Sequence, residues 1–121
     1  MDLAETRRGL AVMEIACRED LLNSQVVMHG GFVSTLADSA MARAMASVLP
    51  DGSRHSTFDL KLNFISAVKP GEKVRATGKV LHLGRRTGVA EARVVCGERL
   101  VATATASFII QAVGGDSADA H

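Results

Sequence analysis

His29, Gly30 and Gly31 stand in a row, and Asp38 follows seven positions after the second glycine. Glycines let the backbone come close to a ligand, and the first N–H groups of a helix have no partner within it. Such an N–H, with the helix dipole behind it, is a donor suited to an oxyanion. The one carboxylate farther along the same stretch is then a candidate for catalytic work.

The residues that follow must form the helix that carries them. Over 31–48, Phe32, Leu36, Ala40, Ala44 and Val48 recur every four positions, and Val33, Ala37, Met41 and Met45 widen that stripe. Asp38 sits at the edge of the stripe; Thr35, Ser39 and Arg43 fall on the opposite side. Pro50-Asp51-Gly52 ends the helix. Before it, a short polar opening leads into one apolar strand over 9–18, and an irregular connector holds Asn23. After it the pattern has period two. Across 55–65, Phe58, Leu60, Leu62 and Phe64 are expected on one face, with His55, Thr57, Asp59, Lys61 and Asn63 on the other. His55 and His82 are expected at the surface. Strands follow at 73–83, 89–96 and 99–110, separated by Pro70-Gly71, the loop Gly84–Gly88 and Gly97-Glu98. Short connections force antiparallel neighbours. The expected fold is α+β, a curved antiparallel sheet around one long central helix. Small residues at Ala76, Gly78, Ala102, Ala104 and Ala106 would let that helix approach closely.

Composition narrows the class. The 121 residues suit one domain over 1–121, with an ordered core over about 9–110 and a Gly/Asp/Ala/Ser-rich tail at 114–121 that reads as disordered. A net charge of +1, four Phe and neither Trp nor Tyr argue against nucleic acid and membrane partners. No apolar run is long enough to span a bilayer, and the charged N-terminus is unlike a signal peptide. Cys17 and Cys96 lie far apart and show no metal-ligand spacing, so buried, inert thiols and a cytoplasmic location are expected. No metal and no cofactor are implied.

The motifs and their order resemble the hotdog fold, and within it the PaaI-like acyl-CoA thioesterases of the phenylacetate-pathway type. The resemblance covers about residues 9–110. It rests on Asn23 six residues before His29, then HGGFVSTLADSA (29–40), TFDLKLNF (57–64), VKPGEKVRATGKV (68–80) and HLGRR (82–86). It implies hydrolysis of an acyl- or aryl-CoA thioester to free CoA and a carboxylic acid. It makes Asp38 the nucleophile or the general base for water, and the Gly30 amide the group that polarises the carbonyl. Asn23 would position the water or the carbonyl. His29 would hold the loop, and Thr57 would orient water, often across a subunit boundary. Gly31 would lie at the substrate, Met41 and Met45 would line the acyl pocket, and Arg85 and Arg86 would hold CoA phosphates. The resemblance also implies a homo-oligomer, a dimer or a dimer of dimers, with sites between subunits. Two alternatives stand beside it: a non-catalytic acyl-CoA-binding hotdog module, which needs no carboxylate at the thioester, and a hydratase-type hotdog, whose paired Asp and His motif is absent. One departure is Val26, where the family often has glycine three residues before the histidine.

Overall fold

The computed structural model describes residues 1–23 and 28–111. Val26 and the tail at 114–121 lie outside these residues. Leu10–Ala16 forms the strand expected within 9–18, here β2. The polar opening is a strand too: β1, Asp2–Arg7, pairs antiparallel with β2 from Asp2↔Glu14 to Arg7↔Leu10. All six of its residues are exposed, so it carries no alternation of burial for the eye to find. Main-chain pairing with β2 makes it a strand.

Helix α1 spans Gly30–Ala46, somewhat shorter than the expected 31–48. It stops before Pro50 because Ser47 caps it. The Ser47 N–H donates to the Arg43 carbonyl, and its Oγ both donates to Ala44 O and accepts the Gly9 N–H at 2.7 Å. Four strands follow: β3, Arg54–Phe64; β4, Lys73–Leu83; β5, Thr87–Cys96; and β6, Arg99–Gln111. They join β1 and β2 in one antiparallel sheet of order β1-β2-β4-β5-β6-β3, which leaves β1 and β3 as its free edges. This is the α+β hotdog architecture that the resemblance implied.

The helix buries Val33, Leu36, Ala37, Ala40, Met41, Ala44 and Met45, whereas Phe32, expected in the same stripe, is exposed. It lies over β2, β4 and β5, runs along β3 and barely reaches β6. Contact is closest at Gly78, where an added Cβ would strike the Ala40 carbonyl and lie 2.7 Å from the Met41 amide nitrogen. Backbone rather than a flexible side chain opposes that position, so glycine is required there.

The expected alternation along β3 fails at one point. The register shifts between Thr57 and Asp59. Before the shift His55 pairs with Ile110 and Thr57 with Phe108; after it Leu60 pairs with Ala106 and Phe64 with Ala102. Directly opposed residues share a face of the sheet, and all four of these partners are buried. His55 and Thr57 therefore point inward, as do Leu60, Leu62 and Phe64, while Phe58 is extruded and 56% exposed. A bulge inserts one residue and re-aims its neighbours. His55, expected at the surface, is half-buried against the Phe108 ring at 5.8 Å. No helix of the described residues is long and apolar enough to cross a membrane.

Candidate active site

His29 begins the helix by capping it. Its backbone is extended (φ −60°, ψ 134°), and its Nδ1 accepts the Gly31 N–H at 3.1 Å. That Nδ1 therefore carries no proton in this arrangement. The His29 carbonyl accepts the Phe32 N–H, and the His29 N–H donates to Leu21 O at 2.8 Å. Of the first three amides of the helix, two are thus engaged. The Gly30 N–H has no acceptor among the described residues. An unmatched donor at a helix start is what an oxyanion site requires.

Gly30 borders a cleft of about 420 Å³ that Asn23, Met28, Val33, Phe64 and Ser66 also line. The Phe64 ring packs against Gly30: an added Cβ would meet its Cζ at 3.2 Å, a tight contact that a small shift of the exposed ring relieves. Phe64 and its contact with Gly30 escaped the sequence reasoning, because facing across the helix start leaves no mark in a period-two pattern. Asn23 is half-buried and engaged with another group of the protein rather than free. Arg99 braces the wall of the cleft. It grips both carboxylate oxygens of Glu72 at 2.8 Å and donates to the Ala67 carbonyl at 3.0 Å. The Arg99 guanidinium, followed by the Lys69 amide, holds the Glu72 carboxyl down from its ordinary 4.5 to about 2.

Asp38 lies farther along the same helix, half-buried, and accepts the Thr57 hydroxyl at 3.0 Å. The β3 bulge makes that bond possible by turning Thr57 inward. The bond forms within one chain, whereas the resemblance often places this hydroxyl across a subunit boundary. Asp38 does not border the Gly30 cleft. Eight residues separate the two, which at about 1.5 Å per residue is roughly 12 Å along the axis.

The remaining expected residues scatter. Gly31 is exposed beside the His29 ring. Met41 and Met45 are fully buried in the closed core of the single chain. Arg85 and Arg86 are exposed in the β4–β5 turn, at the C-terminal end of α1 and away from Gly30. A second depression of about 420 Å³ runs along the outer side of the helix between Ala42, Ala46, Leu3 and His55. Cys17 and Cys96 are buried, and burial raises both thiols above their ordinary range, as expected for inert cysteines. Among the described residues no group of three His, Cys, Asp or Glu side chains converges as metal ligands.

Residues 25–103 match the family profile of the thioesterase superfamily. The chain is similar to the conserved protein PA5202 from Pseudomonas aeruginosa, with 35% identity and a TM-score of 0.87 over 91% of this chain and 87% of that one. It is also similar to the PaaI protein of the Escherichia coli phenylacetic acid degradation operon, an acyl-coenzyme A thioesterase. The structures agree with a TM-score of 0.84 at 28% identity over 94% of this chain and 80% of that one. In sequence the two are 30% identical over 78% of this chain and 66% of PaaI. A hypothetical thioesterase of Streptococcus pneumoniae TIGR4, solved with coenzyme A, superposes with a TM-score of 0.84 at 25% identity, covering 92% of this chain and 88% of that one. The chain spans between 47% and 72% of the length of the curated relatives it matches.

Proposed function

Because this chain belongs to the thioesterase superfamily, we propose that it hydrolyses an acyl- or aryl-CoA thioester to free CoA and a carboxylic acid, acting in the cytoplasm as a homo-oligomer. Asp38 is the general base or nucleophile, and the Gly30 amide polarises the carbonyl. The observation that carries this is the unmatched Gly30 N–H at a helix start beside a cleft. PaaI and the CoA-bound streptococcal protein support the choice of substrate class.

The roughly 12 Å between Gly30 and Asp38 excludes their joint action on one carbonyl within one chain, since both must lie about 3 Å from the reacting atoms. Two chains with helices side by side and antiparallel remove the difficulty. With the two-fold axis near residue 34, residue 38 of each copy sits beside residue 30 of the other, and a dimer holds two equivalent sites. The free edge of β3 is where the second copy joins. β3 is paired on one side only, with Phe58, Leu60 and Phe64 exposed, and Ile65 exposed just beyond it. The helix leaves its inward face uncovered there.

At such a site the Gly30 N–H donates to the thioester oxygen as it becomes an oxyanion. Asp38 either takes a proton from water, whose oxygen attacks the carbon, or attacks that carbon itself to give an anhydride that water opens. In both routes the carbon–sulfur bond breaks and the thiolate of CoA departs. The Thr57 hydroxyl holds Asp38 in position by its 3.0 Å bond.

The test is release of free thiol from a panel of acyl- and aryl-CoA thioesters by wild type and Asp38→Asn. Turnover by wild type and its loss in the variant, with CoA binding retained, supports the proposal. Binding without thiol release by wild type would make the protein an acyl-CoA-binding module instead.

A further inference from the structure

Strand β3 ends at Phe64 and β4 begins at Lys73, and β6 and β5 lie between them in the sheet. Residues 65–72 therefore cross the end of the sheet outside the strand ladders. On the way, Ile65, Ser66, Ala67 and Val68 wall the Gly30 cleft. The crossing is tied at both ends. The Val101 carbonyl accepts the Ile65 N–H at 2.8 Å and the Ser66 N–H at 3.1 Å, while Gly71 and Glu72 bond to the Cys17 backbone. Arg99, the first residue of β6, holds the part in between. Its guanidinium reaches Ser66 Oγ at 3.4 Å, the Ala67 carbonyl at 3.0 Å and both Glu72 carboxylate oxygens at 2.8 Å. Glu72 in turn accepts the Lys69 N–H at 2.8 Å and donates its own N–H to the Lys69 carbonyl at 3.2 Å. One side chain thus spans the crossing from Ser66 to Glu72.

The same crossing carries the entry to α1. The Val68 carbonyl accepts the Met28 N–H at 2.7 Å, and both residues are buried. The next amide, that of His29, donates to the Leu21 carbonyl at 2.8 Å. The chain entering the helix hangs on these two carbonyls, and the Val68 carbonyl is the neighbour of the Ala67 carbonyl that Arg99 grips. The Gly30 N–H lies in the peptide plane that it shares with the His29 carbonyl. Its direction is therefore set by how Met28 and His29 are held.

We propose that Arg99 is a positioning residue for the reaction: by fixing Ala67 and Val68 it holds Met28, and through Met28 it aims the Gly30 amide at the forming oxyanion. This rests on the thioesterase function above and adds a residue that never touches substrate. The Arg99 and Glu72 side chains are 43% and 28% exposed, and an exposed ion pair contributes little to the stability of the whole fold. Its effect is local, on irregular backbone that no ladder orders. An oxyanion donor must lie about 2.7–3.1 Å from the developing charge. A displacement of about 1 Å can lower a rate on the order of 10²-fold. Loosening the crossing therefore reduces kcat well before it unfolds the protein.

The experiment measures thiol release from one acyl-CoA by wild type, Arg99→Met, Arg99→Lys, Gly30→Pro and the double variant of Arg99→Met with Gly30→Pro. Arg75→Met is the matched control. Arg75 also grips a carboxylate twice, Glu14 at 2.8 and 2.7 Å, and is 55% exposed, but it takes no part in the crossing. The expected result is a fall in kcat of about tenfold in Arg99→Met, with KM within about twofold of wild type. Arg99→Lys recovers part of the loss, and Arg75→Met keeps the wild-type kcat. Gly30→Pro has no amide hydrogen left to aim, so adding Arg99→Met to it costs less than about twofold more. Wild-type kcat in Arg99→Met, an equal loss in Arg75→Met, or an undiminished loss in the Gly30→Pro background overturns the inference and leaves the thioesterase function standing. Hydrogen exchange gives a readout without turnover: the Met28 amide should exchange about tenfold faster in Arg99→Met and at the wild-type rate in Arg75→Met. Should wild type release no thiol, the thioesterase function fails, and this exchange rate still decides whether Arg99 holds the helix entry: an unchanged rate refutes it, and the faster rate upholds it.

Discussion

Replacing Gly30 by proline removes the amide hydrogen that the proposed active site uses. The local backbone accepts the change. Gly30 is the first residue of α1, where proline fits and its missing N–H has no intrahelical role. His29 before it is extended at ψ 134°, as a residue preceding proline must be. The helix cap survives, because His29 Nδ1 accepts from Gly31. The new Cβ comes 3.2 Å from Phe64 Cζ, a ring that is 58% exposed and free to shift, and the proline Cδ takes the place of the amide hydrogen. Gly30→Ala carries the same Cβ and keeps the N–H, so it isolates the effect of the Cβ. Loss of one oxyanion donor lowers kcat by about 10²–10³, equivalent to about 2.7–4 kcal/mol. Steady-state thiol release from an acyl-CoA should show that loss in Gly30→Pro, with most activity kept in Gly30→Ala. Equal losses in the two variants would refute the role of the amide. The two-chain geometry adds a second outcome. When Gly30→Pro and Asp38→Asn chains are co-expressed, half the dimers are mixed, and each mixed dimer holds one intact pairing of its two. Activity should return to about one quarter of wild type. No recovery in purified mixed dimers would mean that the two groups do not meet across the interface.

Three other outcomes follow from particular contacts. Thr57→Val removes the 3.0 Å bond to Asp38 and should lower kcat several-fold with little change in KM, whereas Thr57→Ser should retain it, as steady-state kinetics would show. Gly78→Ala drives a methyl group into the helix backbone at Ala40 and Met41, and should destabilise the fold by about 1–3 kcal/mol, measured by denaturant unfolding. Glu72 is held at about 2, below its ordinary 4.5, first of all by its hydrogen bond to Arg99. A depressed carboxyl contributes its stability above 4.5 and loses it as pH falls toward 2. The gap in Tm between wild type and Arg99→Met should therefore be full near neutrality and narrow between pH 4.5 and 2; a constant gap would contradict the pairing.

Local patterns were enough for much of this protein. The apolar recurrence over 31–48 marks α1, since a helix that buries one stripe must repeat at its own period. Turn chemistry at Gly97-Glu98 marks the β5–β6 hairpin, and the His29-Gly30-Gly31 run marks the helix start; Pro70-Gly71 marks a turn but not the expected neighbours, since β3 and β4 lie apart in the sheet, with β3 on β6 and β4 between β2 and β5. The small residue at Gly78 foretold the close helix approach. Tertiary structure alone decided the rest. β1 exists through main-chain pairing, and its exposed side chains carry no trace of it. The β3 bulge adds a residue that period-two counting passes over, and so Thr57 reaches Asp38 and His55 turns inward. Phe64 meets Gly30 only because the sheet curls around the helix start. Short-range periodicity records which side of an element is buried; contacts between elements depend on register and curvature, which no single segment contains.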